Sequence, residues 1–267
     1  MRKILSIILI SILVISATVL PYGLDSQISI LEDSVDMGTV GIYFNGNIES
    51  RVRLLVEKDG TRYSYNLYEN DDVQIFPLQM GNGSYTVRVM ENTEGNKYKT
   101  LLSKEINVNL DDYTVTYLNS IQEINWSSTD NAILKANELT KGMNNDADKL
   151  EAIYEYVVNN IKYDYDKVSN LTVFYLPDID ETLESGQGIC YDYASLLAAM
   201  LRGVGVPTKM VKGYSDLIPN EYHAWNEVLI NGQWKTIDTT YDAAYVQNNK
   251  NVDMYKLASE YNGEKIY

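Results

Sequence analysis

The chain has 267 residues, of which 45% are hydrophobic and 22% charged, a composition typical of a globular protein of about two domains. Its formal net charge of −15 excludes nucleic acid as an expected partner, because phosphate backbones bind basic surfaces. With one cysteine and one histidine, the chain can form neither an internal disulfide nor the usual Cys/His zinc site, so we expect no metal and no other cofactor.

The N-terminal segment has the pattern of a secretory signal peptide. Arg2 and Lys3 precede an apolar run from Ile4 to Leu20 that contains small residues near its end. The run is also long enough to leave an uncleaved membrane tether as an alternative. We therefore expect residues 1–25 to direct the protein to a secreted or cell-surface location, with membrane contact only through this segment.

Residues 26–112 show strand patterns and are predicted to form a small β-sandwich. In "RVRLLVEKDGTRYSYNLY" two alternating runs flank Asp59-Gly60, and a two-residue turn pairs Val56 with Tyr63, placing the apolar side chains on one face. The runs at 83–90 and 105–110 alternate in the same way. No site chemistry is found here, which indicates a spacer or docking module.

After a predicted linker near residues 111–126 the period becomes helical. Helices are predicted in "STDNAILKANELTKG", with Ser128 or Thr129 as N-cap, in "DADKLEAIYEYVVNNIKYDYD" and in "CYDYASLLAAMLRGVGVP". Strands follow in "TKMVKGY", "HAWNEVLI" and "QWKTID". We expect an α+β domain over residues 113–267, with helices packed on an antiparallel sheet.

The only cysteine lies in "GQGICYDYA", where Gly186 and Gly188 allow the backbone to turn just before the third helix. Cys190 is thus predicted at a helix N-terminus, where free N–H groups and the helix dipole stabilise a thiolate. The same N–H groups could bind the oxyanion of a tetrahedral intermediate. Asp192, one turn later, is expected only to complement the dipole.

The only histidine lies in "YHAWNEVLINGQWKTIDTTYD", which contains the type I′ turn signal Asn231-Gly232. A two-residue turn pairs Trp225 with Asp238 and makes His223 and Asp238 diagonal neighbours on one face. A shift of register by one residue would separate them. The turn therefore predicts a His–Asp pair that could orient a base toward a thiol, whereas Asp242 has no partner in this register.

Together, "GQGICYDYA", "YHAWNEV" and "WKTIDTTYD" resemble the transglutaminase-like core, a papain-related fold, over roughly residues 130–245. The resemblance implies a Cys190–His223–Asp238 triad of nucleophile, base and orienting acid. The tryptophan that usually completes the family's oxyanion site is missing between Trp126 and Cys190, and Tyr163 or Gln187 could replace it. The aromatic residues Tyr191 and Trp225 are expected to line the substrate groove.

Two functions follow from this pattern. The first is an extracellular thiol acyl-transfer enzyme that acts on peptide or side-chain amides through a thioester, either as a protein-crosslinking transglutaminase or as a cysteine peptidase or amidase. Its partner would be a protein or peptide, of the cell wall or cell surface. The second is a non-catalytic surface binding module with the same fold.

Overall fold

The computed structural model describes residues 27–46, 48–172 and 174–267, so the predicted signal segment lies outside the described residues. Two hydrophobic cores are present: one lies between two N-terminal sheets, and the other between helices and a C-terminal sheet. The architecture is α+β, as the sequence predicts. None of the helices formed by the described residues is long and apolar enough to cross a membrane.

The N-terminal part is built from seven antiparallel strands in two sheets that share one core. The three-stranded sheet has the order β1-β2-β5 and the four-stranded sheet the order β4-β3-β6-β7. The strands are β1 (Ile28–Leu31), β2 (Thr39–Phe44), β3 (Val52–Lys58), β4 (Thr61–Leu67), β5 (Asn70–Pro77), β6 (Gly83–Glu94) and β7 (Lys97–Val108).

The hairpin of β3 and β4 confirms the predicted register. Val56 pairs with Tyr63, and all six apolar side chains of the predicted face are buried. Asp59 and Gly60 both have positive φ, 47° and 80°, as a type I′ turn requires. The alternation of large apolar and polar residues thus determines which face of this sheet enters the core.

The C-terminal part packs helices against a five-stranded antiparallel sheet of order β13-β12-β11-β10-β14. Its helices are α1 (Asn131–Leu139), α2 (Asp146–Asn160), α3 (Tyr165–Ser169), α4 (Ile179–Ser185), α5 (Cys190–Gly203) and α6 (Thr239–Val246). Its strands are β8 (Lys162–Tyr163), β9 (Gln187–Gly188), β10 (Thr208–Ser215), β11 (Ile218–Ile230), β12 (Gln233–Ile237), β13 (Tyr255–Lys256) and β14 (Tyr261–Ile266).

Helix α5 is the central helix of this part and is buried on nearly every side from Asp192 to Arg202. Its composition explains this position, because "ASLLAAML" offers apolar side chains all round the helix. The buried Asn226 of β11 donates hydrogen bonds to the Ala194 carbonyl, at 2.9 Å, and to the Lys209 carbonyl, at 3.2 Å. This amide fixes the first turns of α5 on the sheet.

Helix α1 starts one or two residues later than the sequence indicated. Its N-cap is Asp130, rather than Ser128 or Thr129, and the Asp130 side chain makes no capping hydrogen bond. The Asp180 carboxylate of α4 instead accepts from the backbone N–H groups of Asn131 and Ala132, at 2.9 and 2.8 Å. The cap is therefore supplied by a residue distant in sequence, which local pattern does not reveal.

The predicted linker is structured and packs partly with the helix-and-sheet half. Ile121 and Ile124 are buried in the helix-and-sheet core at 2% and 0% exposure. The Glu123 carbonyl accepts a hydrogen bond from the buried Ser195 hydroxyl of α5. A short 3₁₀ helix, Tyr113–Leu118, precedes them. Ile121 and Ile124 therefore belong with the core that carries α5, whereas Tyr113 and Val115 pack against the core of the N-terminal sheets.

The end of the chain joins the two halves. Tyr267 is packed against both cores, with its ring edge-on to Tyr63 and Tyr65 at 6.1 Å between centroids. The Gln79 amide donates to the Ile266 carbonyl at 3.1 Å, and the Tyr63 hydroxyl accepts from the Ile266 N–H. The sandwich is thus docked on strand β14 of the C-terminal sheet.

Candidate active site

Cys190 is the first residue of helix α5, as the sequence predicts. The parallel pairing of β8 with β9 holds the preceding backbone, and Gly186 adopts positive φ, 63°. A Cβ added at Gly188 would lie 2.7 Å from the Asp192 Cβ, so only glycine fits there. The sequence therefore positions the half-buried thiol at a helix N-terminus, where backbone N–H groups are free.

The Asn231-Gly232 turn forms with the predicted register. Ile230 pairs with Gln233, and both turn residues have positive φ, 51° and 73°. The ladder ends at the Asn226–Ile237 pair, and Asp238 then becomes the N-cap of α6, where the sequence suggested further strand. The buried His223 ring still reaches it, with 2.8 Å between Nε2 and the Asp238 Oδ2.

The environment of His223 favours its charged form. Burial lowers the pKa of the imidazole, but hydrogen bonding with Asp238 and Cys190, together with their negative charges, outweighs burial and raises the pKa to about 10. Because Nε2 is occupied by Asp238, Nδ1 is the ring nitrogen available to the thiol. The charged form of the ring is therefore favoured at neutral pH, beside the Cys190 thiol.

Asp238 is fully buried, and both of its oxygens accept hydrogen bonds. Oδ1 accepts from the Tyr241 backbone N–H at 3.1 Å. Oδ2 accepts from the Tyr261 hydroxyl at 3.0 Å in addition to the imidazole. These three donors hold the carboxylate in one orientation against the imidazole, which is what a residue that orients the ring requires.

A cavity of about 580 Å³ opens beside the thiol and the imidazole. Lys162 and Glu221 contribute opposite charges to its wall. Most of its aromatic lining is tyrosine: Tyr163, Tyr165, Tyr193, Tyr222, Tyr241 and Tyr245. Tyrosine combines an apolar ring with a hydrogen-bonding hydroxyl, a combination that suits a peptide backbone and its side chains.

The two residues suggested as oxyanion partners lie in different places. Tyr163 lines the cavity with Cys190, and burial together with the nearby Cys190 raises the pKa of its hydroxyl to about 12. It is therefore a neutral donor at physiological pH. Gln187 is exposed, with its backbone in the β8–β9 pair, and it is not among the described residues that line the cavity.

Tyr191 and Trp225, which the sequence predicted in the substrate groove, are not among the residues that line the cavity. Tyr191 turns away from it and stacks under Lys212, whose Nζ lies 3.4 Å from the ring centroid. Trp225 is buried at 2% exposure and lies roughly parallel to the His223 ring, with 6.2 Å between centroids. Sequence pattern did not distinguish aromatic residues that support the site from those that line it, because both kinds flank the same motifs.

Asp192 does more than complement the helix dipole. Its carboxylate is buried and accepts from the Ile189 backbone N–H at 2.8 Å. It also accepts from the Tyr175 hydroxyl and contacts the Lys167 ammonium at 3.3 Å. The backbone just before Cys190 is therefore fixed by a side chain one turn into α5, as in a capping box.

Asp242 lies away from the His223 ring but is fully buried. It forms an ion pair with the buried Lys256 at 2.5 Å and accepts from the Tyr154 hydroxyl at 2.9 Å. Burial raises its pKa to about 6, although Lys256 and Tyr154 offset part of that effect. In the sequence it stood without a partner, because Tyr154 and Lys256 are distant along the chain.

No group of three or more His, Cys, Asp or Glu side chains within 27–46, 48–172 and 174–267 is arranged to hold a metal ion. The described site brings together a thiol, an imidazole and a carboxylate.

Comparison with known proteins gives relatives of low identity. The YebA protein of Bacillus subtilis is 26% identical over 180 residues, which cover 59% of this chain and 23% of that protein. The kyphoscoliosis peptidase of Mus musculus is 28% identical over 120 residues, 41% of this chain and 18% of that protein. The chain thus matches less than a quarter of the length of either relative.

Solved structures with a similar arrangement include the periplasmic domain of TgpA from Pseudomonas aeruginosa. It has a TM-score of 0.38 at 16% identity and covers 82% of this chain and 94% of that one. The family model for the transglutaminase-like superfamily matches residues 135–239, which include Cys190, His223 and Asp238. Residues 135–239 of the chain are therefore similar to the core domain of the transglutaminase-like superfamily.

Proposed function

We propose that this protein is a thiol acyl-transfer enzyme that acts on peptide or side-chain amides through Cys190, His223 and Asp238. One arrangement supports the proposal most directly: the thiol lies at a helix N-terminus on the cavity wall, beside an imidazole whose Nε2 is 2.8 Å from Asp238. A binding module on the same fold would not need a nucleophile, a base and a buried carboxylate at these positions.

In this mechanism the Cys190 thiolate attacks the carbonyl carbon of an amide, and the carbonyl oxygen becomes an oxyanion. The free N–H groups at the start of α5 and the Tyr163 hydroxyl are the proposed donors to that oxygen. The His223 imidazolium then gives its proton to the nitrogen of the leaving amine as the C–N bond breaks. The product is a thioester on Cys190 and a neutral imidazole.

The second half reverses these roles. Neutral His223 takes a proton from the incoming nucleophile, which attacks the thioester and releases the thiolate. Water as the acceptor gives a peptidase or amidase, and a primary amine gives a transglutaminase. The tyrosine-lined cavity and its Lys162 and Glu221 suit a protein or peptide substrate. A substrate of the cell wall or cell surface is consistent with the signal-like segment at residues 1–25.

The experiment is to incubate the protein with p-nitrophenyl acetate and follow the acyl-enzyme by intact-mass spectrometry. We expect one acetyl group on Cys190, none on Cys190→Ala, and slow release in His223→Gln. Adding methylamine tests the acceptor: formation of N-methylacetamide indicates a transferase, and acetate alone a hydrolase. An acetyl group on Cys190→Ala to the same extent, or none on the native protein, would contradict the proposal.

A further inference from the structure

Strand β14, which lies beyond the residues matched by the family model, supplies a contact to the Asp238 carboxylate. The Tyr261 hydroxyl donates to Oδ2 at 3.0 Å, the same oxygen that lies 2.8 Å from His223 Nε2. Two donors therefore share one carboxylate oxygen. The other oxygen, Oδ1, is held by the Tyr241 backbone N–H at 3.1 Å.

The Tyr261 ring is fixed by its neighbours. Its backbone pairs with Ser215 of β10, and its ring packs on Trp225 with 5.0 Å between centroids. Trp225 in turn lies alongside the imidazole of His223. Burial and the Asp238 charge hold the pKa of the Tyr261 hydroxyl well above its usual value, so it remains a neutral donor. The three rings and the carboxylate form one packed unit.

We propose that Tyr261 is a positioning residue that acts through Asp238, drawing part of the negative charge of Oδ2 away from His223. The role of Tyr261 in catalysis rests on the proposed thiol chemistry. The contact itself rests on the shared Oδ2 atom. A carboxylate oxygen that binds only His223 would stabilise the imidazolium strongly. Because Oδ2 also accepts from Tyr261, it stabilises the imidazolium less. The ring then releases its proton more readily to a leaving amine.

Other charged groups face Asp238 from the elements around it. Asp242 of α6 is negative and is neutralised by Lys256 of β13, while Tyr154 of α2 donates to Asp242. None of these groups binds Oδ2 in the described structure, where its donors are His223 and Tyr261. Removing the Tyr261 hydroxyl therefore changes the charge available to the imidazole directly.

The chain has a single histidine, so the His223 ring can be followed by NMR without overlap. The test is the titration of the imidazole in the native protein, Tyr261→Phe, Tyr214→Phe and Asp238→Asn. Tyr214 is the matched control, because it lies on the neighbouring strand β10 with its ring 44% exposed. Phenylalanine at position 261 keeps the packing on Trp225.

We expect Tyr261→Phe to raise the pKa of His223 by about 1, Asp238→Asn to lower it, and Tyr214→Phe to leave it unchanged. The alkaline limb of the acylation rate with p-nitrophenyl acetate should move upward with the imidazole. An unchanged or lowered pKa of His223 in Tyr261→Phe would overturn the inference, since a merely structural role predicts one of these. The NMR result needs no activity, so it stands apart from the test of acyl transfer.

Discussion

Asp238 accepts from the only histidine of the chain and caps a helix at the same time. Its Oδ2 lies 2.8 Å from His223 Nε2, and its Oδ1 accepts from the Tyr241 N–H at the start of α6. The orientation of the imidazole is therefore tied to the start of a helix rather than to a strand alone. A substitution at this position can be chosen to keep the cap and remove the charge.

Asp238→Asn should keep the fold and lose most of the activity. Asparagine caps helices about as well as aspartate, so we expect the melting temperature to change by only a few degrees. The amide cannot stabilise an imidazolium, and by analogy with other triad enzymes the acylation rate should fall by up to about 10⁴-fold. Thermal unfolding and single-turnover acylation measure the two effects. Native activity in this variant would show that His223 has another orienting group.

Stability should depend on pH through His223. Its folded pKa of about 10 lies above the ordinary 6.5, so its contribution to the free energy of unfolding is fully present below pH 6.5 and is lost as pH rises through about 10. The difference in that free energy between the native protein and His223→Gln should therefore shrink over this range. Chemical denaturation at several pH values measures it.

Other groups titrate in the same range but cancel in this comparison. Lys212, for example, has its pKa lowered to about 8 by burial in both proteins. The same difference measured in the Asp238→Asn background should vary less with pH, because the carboxylate that raises the His223 pKa is absent. The free energy of unfolding of the native protein can also be compared with that of His223→Gln with Asp238 in place. If their difference stays constant from pH 6 to 10, the folded imidazole has an ordinary pKa.

Asp242→Asn should destabilise the protein, although Asp242 has no partner in the strand register that the sequence predicts. The change leaves the Lys256 ammonium, only 5% exposed, without its charged partner. Breaking a buried ion pair typically costs about 3–5 kcal/mol, a loss that denaturant unfolding would measure. The double variant with Lys256→Met should recover much of that loss. Equal loss in single and double variants would mean that the ion pair itself contributes little.

The C-terminal half should fold alone only if residues 113–125 are kept. A fragment of residues 112–267 retains Ile121 and Ile124 in the core and the Glu123 carbonyl that Ser195 needs. A fragment of residues 126–267 loses them and should be unfolded by circular dichroism, since each buried isoleucine contributes several kcal/mol. If the fragment of residues 126–267 is folded and its thiol reacts, residues 113–125 are a linker and are not needed by the core.

Local sequence was sufficient for the features that depend on neighbours in the chain. The turn residues Asp59-Gly60 and Asn231-Gly232 determine their hairpins, because few residues adopt positive φ without strain. The glycines before an apolar helical run predicted Cys190 at a helix N-terminus, and it is the first residue of α5. The register of one hairpin was enough to indicate that His223 and Asp238 meet, even though the strand ends before Asp238.

Only the tertiary structure decided which groups surround this pair. Tyr261 reaches Asp238 from a strand 23 residues away, and Asp180 caps α1 from 48 residues away. Lys256 of β13 neutralises Asp242 of α6. It also placed Tyr163 in the cavity and kept Gln187, Tyr191 and Trp225 outside its lining. These contacts follow from how helices and sheet pack together, and side-chain packing has no periodic signature in the sequence.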